Sequence, residues 1–396
     1  MEKRTWNWKK ILLIVLTHVI VGCVASAVTL IFVVPGLFGK EARKVQQIMN
    51  IVDKMYIGEA DTQMMEDAAA AAMIYAIDDP WSFYVPVSSM TEFESQHTYS
   101  YVGIGVTVMK TEDGSGIDIQ RVEPGGSAKE QGILPGDIIV AVNDKRVSEV
   151  GYEAAVNLIG GESGTTVKLT VLREETEMEF TLTRREILAQ VASGYMVTET
   201  VGYIKINNFN DRCADEVIET YENLEKQGAK AFVFDVRGNP GGFVHEMVEI
   251  LDYLLPEGVL FRSEDYRGYV DEEKSDASCK TAPIAVLING DSYSAAEFFP
   301  AALTEYNAAV TVGQPTTGKG RFQQTIPLSD GSALNLSVGR YTTPNGVDLS
   351  EVGGLKPMIP VEVDQETMNQ IYSESLKPEE DAQLQAAIKA LQDKLN

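Results

Sequence analysis

Apolar residues first gather in an unbroken run from Ile11 to Val34, 24 residues without a formal charge. Wound as a helix, the run is about 36 Å long, enough for a hydrocarbon core of roughly 30 Å. Trp6 and Trp8 precede it, among Lys3, Arg4, Lys9 and Lys10, while Lys40, Arg43 and Lys44 follow. These flanks predict a membrane anchor over residues 1–38, with a cytoplasmic N-terminus and the bulk of the chain outside the cell membrane. Ala25-Ser26-Ala27 and Ile20-Val21-Gly22-Cys23 offer processing sites. The apolar run continues past both, so an uncleaved, single-pass anchor is expected.

The period then changes. Ile48, Ile51, Val52 and Met55 recur at helical spacing, and a helical segment is expected over residues 41–97, its pattern running from Glu41 to about Ala76 before Asp78-Asp79-Pro80-Trp81-Ser82 breaks it. Residues 98–186 read as a compact mixed unit. Its strands are expected at Tyr101–Met109, Ile117–Val122, Ile138–Val142 and Thr166–Leu172, with short helices from Ser127 and from Tyr152. From 187 to 363 strands and helices alternate. Ala231–Val236 and Ile284–Ile288 are continuous apolar runs, the mark of strands covered on both faces. A hairpin is expected around Asp330-Gly331, and an amphipathic helix in the tail, 364–396. The fold class is α/β (α+β), multidomain.

Charge and rare residues narrow the chemistry. A net charge of −25 repels nucleic-acid phosphates, and no nucleic-acid partner is expected. Cys23, Cys213 and Cys279 carry no metal-ligand spacing, and two buried thiols are favoured over a Cys213–Cys279 bond. His18, His97 and His245 are isolated, which argues against a histidine triad or a zinc site. No metal or organic cofactor is expected.

The segment Asn289-Gly290-Asp291-Ser292-Tyr293-Ser294-Ala295-Ala296-Glu297 leaves a buried strand and opens a helix. A serine there can simply cap the helix, with Glu297 completing a capping box from Ser294. It can also be an exposed nucleophile beside unpaired helix-start N–H groups able to hold an oxyanion. Lys319 follows 25 residues later between Gly318 and Gly320. As a base it must lose about 3 pKa units from roughly 10.4, a differential of about 4 kcal/mol. A Ser/Lys pair is one of the few ways to activate serine without histidine. Gly313 to Gly320 mimics a phosphate-binding loop, but Gly320 stands where that loop needs Ser or Thr, and a strand follows. Asp235 to Gly242 follows a strand, and its glycine pair permits close backbone approach. Tyr101, Val102, Gly103, Ile104, Gly105 and Val106 open a strand with alternate glycines, where free N–H groups can capture a terminal carboxylate.

Taken in order, these motifs resemble the C-terminal processing peptidases, or tail-specific proteases, over about residues 45 to 363. Asp79-Pro80-Trp81-Ser82-Phe83-Tyr84 looks like the signature before their PDZ domain, and Gly103-Ile104-Gly105 like its carboxylate-binding loop. Tyr341-Thr342-Thr343-Pro344-Asn345-Gly346 and Gly354-Leu355-Lys356-Pro357 look like the closing motifs. The family usually has Asn where Gly238 stands, and often a small residue at Tyr293, Ser at Ala296 and Asp at Met358. The resemblance implies a PDZ domain ahead of a Ser/Lys protease core. It implies Ser294 as nucleophile, Lys319 as base and Gln323 as the residue that positions the lysine. Ala295 N–H and Gly241 N–H would form the oxyanion hole, with Gly242 as neighbouring candidate. Substrates would be proteins or peptides with accessible apolar C-termini, and self-association or adaptor partners are implied as well. A catalytically dead PDZ scaffold of the cell envelope is the competing reading.

Overall fold

The computed structural model describes residues 8–28, 40–98, 100–111, 113–123, 125–188 and 190–395. Residues up to Tyr84 and those from Val85 onward form two compact units. In the first, helix α1 covers Trp8–Val28. Its apolar part begins only at Ile11, so it is roughly 27 Å long, and residues 29–34 of the expected anchor lie outside the described residues. Among the described residues no helix is long and apolar enough to cross a membrane. The structure therefore gives the expected anchor no support.

The helical pattern that follows divides into α2 (Lys40–Met55) and α3 (Thr62–Tyr75). Asp61 starts the second helix, its carboxylate accepting the Met64 N–H at 3.0 Å. The Tyr84 hydroxyl donates to Asp67 of α3, and the Ser82 hydroxyl to Asp79, both at 2.6 Å. The Asp79–Tyr84 motif is thus a hydrogen-bonded turn fastened to a helix.

In the second unit, β1 (Ser100–Gly103) pairs with β7 (Arg185–Leu188). Between them a six-stranded antiparallel sheet runs in the order β2 (Val106–Lys110), β3 (Ile117–Val122), β4 (Ile138–Val142), β5 (Thr166–Arg173), β6 (Thr176–Thr183), with the short strand Lys145–Arg146 paired to β4 off this path. Helices α4 (Ser127–Glu130) and α5 (Tyr152–Ile159) lie between its strands in sequence. Ile117, Ile119, Ile139, Val167 and Leu169 alternate inward, and all are fully buried. The single strand expected over Tyr101–Met109 breaks at Ile104-Gly105. Gly105 has φ +84°, and a Cβ on it would come within 2.4 Å of the Gly126 Cα. The chain must cross another backbone there, so it cannot stay extended.

The remaining chain builds a second sheet in the order β8 (Ala192–Met196), β9 (Val201–Ile206), β10 (Ala231–Asp235), β13 (Ile284–Ile288), β14 (Ala309–Gly313), β17 (Ile359–Pro360). Strands β9, β10, β13, β14 and β17 are parallel, with Asp235 opposite Leu287 and Ile288 opposite Gly313. Every residue of β10 and β13 is buried because both faces are covered. One face packs on α6 (Cys213–Gln227), α7 (Val244–Leu254) and α8 (Ala295–Glu305). The other is covered by the tail helix α10 (Ala382–Leu395), through Leu384, Ala387, Ile388 and Leu391. A smaller antiparallel sheet joins β11 (Gly258–Asp265), β12 (Val270–Ser275), β15 (Arg321–Pro327) and β16 (Ala333–Thr342), and the last two form the hairpin expected around Asp330. Cys213 and Cys279 are unbonded, the first fully buried and the second partly.

Candidate active site

In a parallel sheet, loops at the carboxyl ends of neighbouring strands share one rim, where ligands bind. β10 and β13 are such neighbours, so Asp235–Gly242 and Asn289–Ser294 meet at that rim. Asn289 organises the meeting. Its amide oxygen accepts the Gly238 N–H at 3.0 Å and the Asp291 N–H at 3.2 Å. Ser292 is fully buried and donates to the Val236 carbonyl at 2.7 Å, so its hydroxyl belongs to the turn.

Ser294 is only partly buried and adopts φ 60°, ψ −127°. An L-residue pays roughly 1–3 kcal/mol for such a conformation, which persists only where the surroundings enforce it. The capping box is also present, the Glu297 carboxylate accepting the Ser294 N–H at 3.0 Å. Capping and exposure are therefore compatible. Ala295 begins the helix, so its N–H has no intrahelical acceptor. Gly241 lies against it: a Cβ there would sit 2.8 Å from the Ser294 Cβ and 3.0 Å from the Ala295 nitrogen. With φ +89° as well, only glycine fits. Its N–H donates to Asn239 Oδ1 at 2.8 Å in this conformation. Gly242 faces elsewhere, pairing with Phe209.

Glu297 extends beyond the cap that its spacing suggested. It is fully buried, and its carboxylate accepts four hydrogens: Ser294 N–H, Lys319 N–H at 2.8 Å, Gly318 N–H at 2.6 Å and the Thr316 hydroxyl at 2.5 Å. One carboxylate thus joins the serine turn to the lysine loop. No spacing rule exposes this role, because the partners lie 19 to 22 residues away in another loop. The Lys319 side chain reaches over Tyr293, its Nζ 5.6 Å from the ring centre. Gln323, on β15, donates to the Arg321 carbonyl and the Ser337 hydroxyl, each at 3.1 Å.

Behind the rim, Arg237 is buried between Asp235 and Asp381, with Gln383 accepting a further bond at 2.9 Å. Burial alone would raise the Asp235 carboxyl, but the Arg237 guanidinium holds it below the ordinary carboxylate range. A depressed carboxyl contributes stability above its unfolded pKa of about 3.9, and that contribution fades as pH falls through the folded value. Arg237→Leu strands two buried carboxylates and is expected to cost about 3–5 kcal/mol at neutral pH. Thermal melting across pH checks this. The deficit should narrow in acid, as the stranded carboxyls take up protons.

In the first sheet, Ile104 is buried and its carbonyl accepts the Ala128 N–H at 3.0 Å. Burial, reinforced by Glu123, pushes the Tyr101 hydroxyl up to about 12. Strand β2 begins at Val106 and is an edge of its sheet, so an extended peptide could pair with it. The Tyr152 hydroxyl at the start of α5 bonds to the Val108 carbonyl of that strand at 3.4 Å. Elsewhere, Asp211, His245 and Glu246 bring possible ligand atoms within 4.8 Å of one another. Both Glu246 oxygens, however, accept backbone N–H groups of Arg212 and Ala214, and the cluster is read as structural.

Residues 200–361 match the Peptidase family S41 model, and residues 92–172 match the PDZ domain model. The carboxy-terminal processing protease CtpA of Bacillus subtilis is 32% identical over 311 residues, 78% of this chain and 66% of that protein. The chloroplastic carboxyl-terminal-processing peptidase 2 of Arabidopsis thaliana is 31% identical over 300 residues, 72% and 58% of the two chains. The chain therefore spans somewhat under two thirds of the length of these relatives. A solved S41 structure from Bacteroides fragilis superposes with a TM-score of 0.57 at 17% identity, covering 89% of this chain and 97% of that one, a likeness of fold alone. With both family models matched in order and curated relatives aligned over most of its length, the chain belongs to peptidase family S41, among the PDZ-containing C-terminal processing peptidases.

Proposed function

We propose that this chain is a serine endopeptidase in which Ser294 is the nucleophile and Lys319 the general base. The observation that carries the reading is Glu297, which bonds the backbones of both residues and so holds their loops together. Lys319 takes the Ser294 proton as Oγ attacks the scissile carbonyl. Ala295 N–H and Gly241 N–H receive the charge on the carbonyl oxygen. Lys319 then returns the proton to the leaving amine, and water deprotonated by Lys319 releases the acyl group from Ser294. Gln323 keeps the lysine loop in register through the hairpin it belongs to. Substrates are proteins with accessible apolar C-termini, whose carboxylate is held by the 101–106 loop while the chain pairs with β2. The N-terminal apolar run anchors the protein in the cell membrane with the protease part outside.

A gated version of this reading is favoured by one bond. Gly241 N–H is turned to Asn239 in this conformation, so the oxyanion hole fills only when that N–H changes acceptor. Peptide binding at the 101–106 loop would bias that change. A fluorophosphonate probe, with peptide mapping, tests the function: label on Ser294 of wild type and its loss in Lys319→Ala support it. Absence of label in the presence of a C-terminally apolar peptide favours the inert scaffold. Peptides ending in a free carboxylate should be cut several-fold faster than their amides, and equal rates would remove the proposed carboxylate recognition.

A further inference from the structure

The loops that carry Ser294 and Gly241 touch a third segment that belongs to neither. Tyr372 ends helix α9 (Gln365–Tyr372), well after the closing motifs of the protease core. Its hydroxyl accepts the Asn289 Nδ2–H at 2.7 Å and donates to the Asp291 carboxylate. One turn earlier, Met368 takes up the same Asn289 amide through sulfur at 3.2 Å. The Tyr372 ring covers the other loop. A Cβ built on Gly238 would lie 2.8 Å from Tyr372 Cε1. The ring therefore fills the space where a side chain of residue 238 would stand. Asn289 closes the arrangement by accepting the Gly238 N–H at 3.0 Å.

We propose that Tyr372 is a positioning residue: its ring seats Gly238, and its hydroxyl fixes Asn289 and Asp291, so that the oxyanion loop and the nucleophile turn hold one spacing. Gly241 is three residues from the first contact, and Ser294 is five from the second. Tyr372 touches no reacting atom. It acts by holding the distance between the Gly241 N–H and the Ser294 hydroxyl, where a shift of about 1 Å is worth roughly 100-fold in rate. The segment is pinned beyond the tyrosine as well, since Glu374 pairs with Lys205 at 2.9 Å. This inference rests on the Ser294 reading above.

Gly238 supplies the test. It has φ +70°, and asparagine is the L-residue that best tolerates that region. Gly238→Asn therefore probes side-chain space rather than backbone strain. In the full chain, Gly238→Asn and Tyr372→Ala are each expected to lower kcat about 10- to 100-fold with KM within about twofold. The double variant should regain most of the loss, because the vacated ring space receives the asparagine. Tyr372→Phe keeps the ring and should lose roughly 3- to 10-fold, covering the case in which the alanine variant melts near assay temperature. Peptide cleavage, fluorophosphonate labelling rate and melting temperature are read together. Wild-type kcat in Tyr372→Ala, or a double variant no better than the product of the singles, overturns the inference. If Ser294→Ala is inert while the Tyr372 variants match wild type, only this inference fails. If Ser294→Ala cleaves normally, the nucleophile assignment itself fails.

Discussion

Alanine at Ser294 should reduce cleavage of an unfolded protein with an apolar C-terminus to background, a loss of roughly 10⁴-fold or more. Alanine at Lys319 should do nearly the same. On the proposed mechanism the two act as a unit, so the double variant should be no worse than either single. Stability separates this from unfolding. Losing the Ser294 cap costs about 1 kcal/mol, and the strained φ of 60° stays equally unfavourable for alanine. Melting should hence shift by only a few degrees. Lys319→Arg retains the cation but cannot act as a neutral base, and should be as inert as alanine. Added small primary amines should partly restore Lys319→Ala and leave Ser294→Ala unchanged. Equal cleavage by wild type and both alanine variants would end the Ser/Lys proposal.

The second large effect is expected at Glu297. Alanine there removes the acceptor for Ser294 N–H, Gly318 N–H, Lys319 N–H and the Thr316 hydroxyl together. Each buried group left without a partner costs about 1–3 kcal/mol. The exposed rim lets some of these donors reach water, so the net loss should be several kcal/mol rather than the full sum. Glutamine is the sharper probe. It keeps the volume and one acceptor oxygen, but its NH₂ faces donors where an acceptor stood. Glu297→Gln should remain folded, melt lower and cleave at least about 100-fold more slowly. A variant that melts lower but cleaves at the wild-type rate would make Glu297 purely a scaffold residue.

Much of this site was legible from local chemistry. The apolar runs 231–236 and 284–288 have the pattern expected of strands covered on both faces, and each is followed by turn residues and a helix start, so the two loops were visible before their meeting was. What stayed hidden depends on contacts between distant segments. Glu297 is a complete capping residue by spacing, and nothing local reveals its reach to 316–319. The Asn239 bond to Gly241 depends on a backbone conformation that the glycine pair permits without selecting. Tyr372 read as one more tail residue, though the unusual Gly238 was the trace it left. Two element errors have similar causes. A helical period persists across Tyr56–Asp61 although capping at Asp61 restarts the helix. A β pattern persists across Ile104-Gly105 although the backbone crossing at Gly126 interrupts the strand.

The buried ionic group behind the 235–242 loop also imposes a schedule on synthesis. Arg237 leaves the ribosome 144 residues before Asp381 and 146 before Gln383. At 5–20 residues per second that interval is on the order of ten seconds. During it the PDZ sheet can fold on contacts already made, while the guanidinium of Arg237 lacks two of its three partners and Tyr372 has yet to reach Gly238. On the proposed Ser/Lys mechanism, cutting power would accordingly be the last property the nascent chain acquires, and truncated translation products lacking residues 372–383 should bind peptides without digesting them or their neighbours.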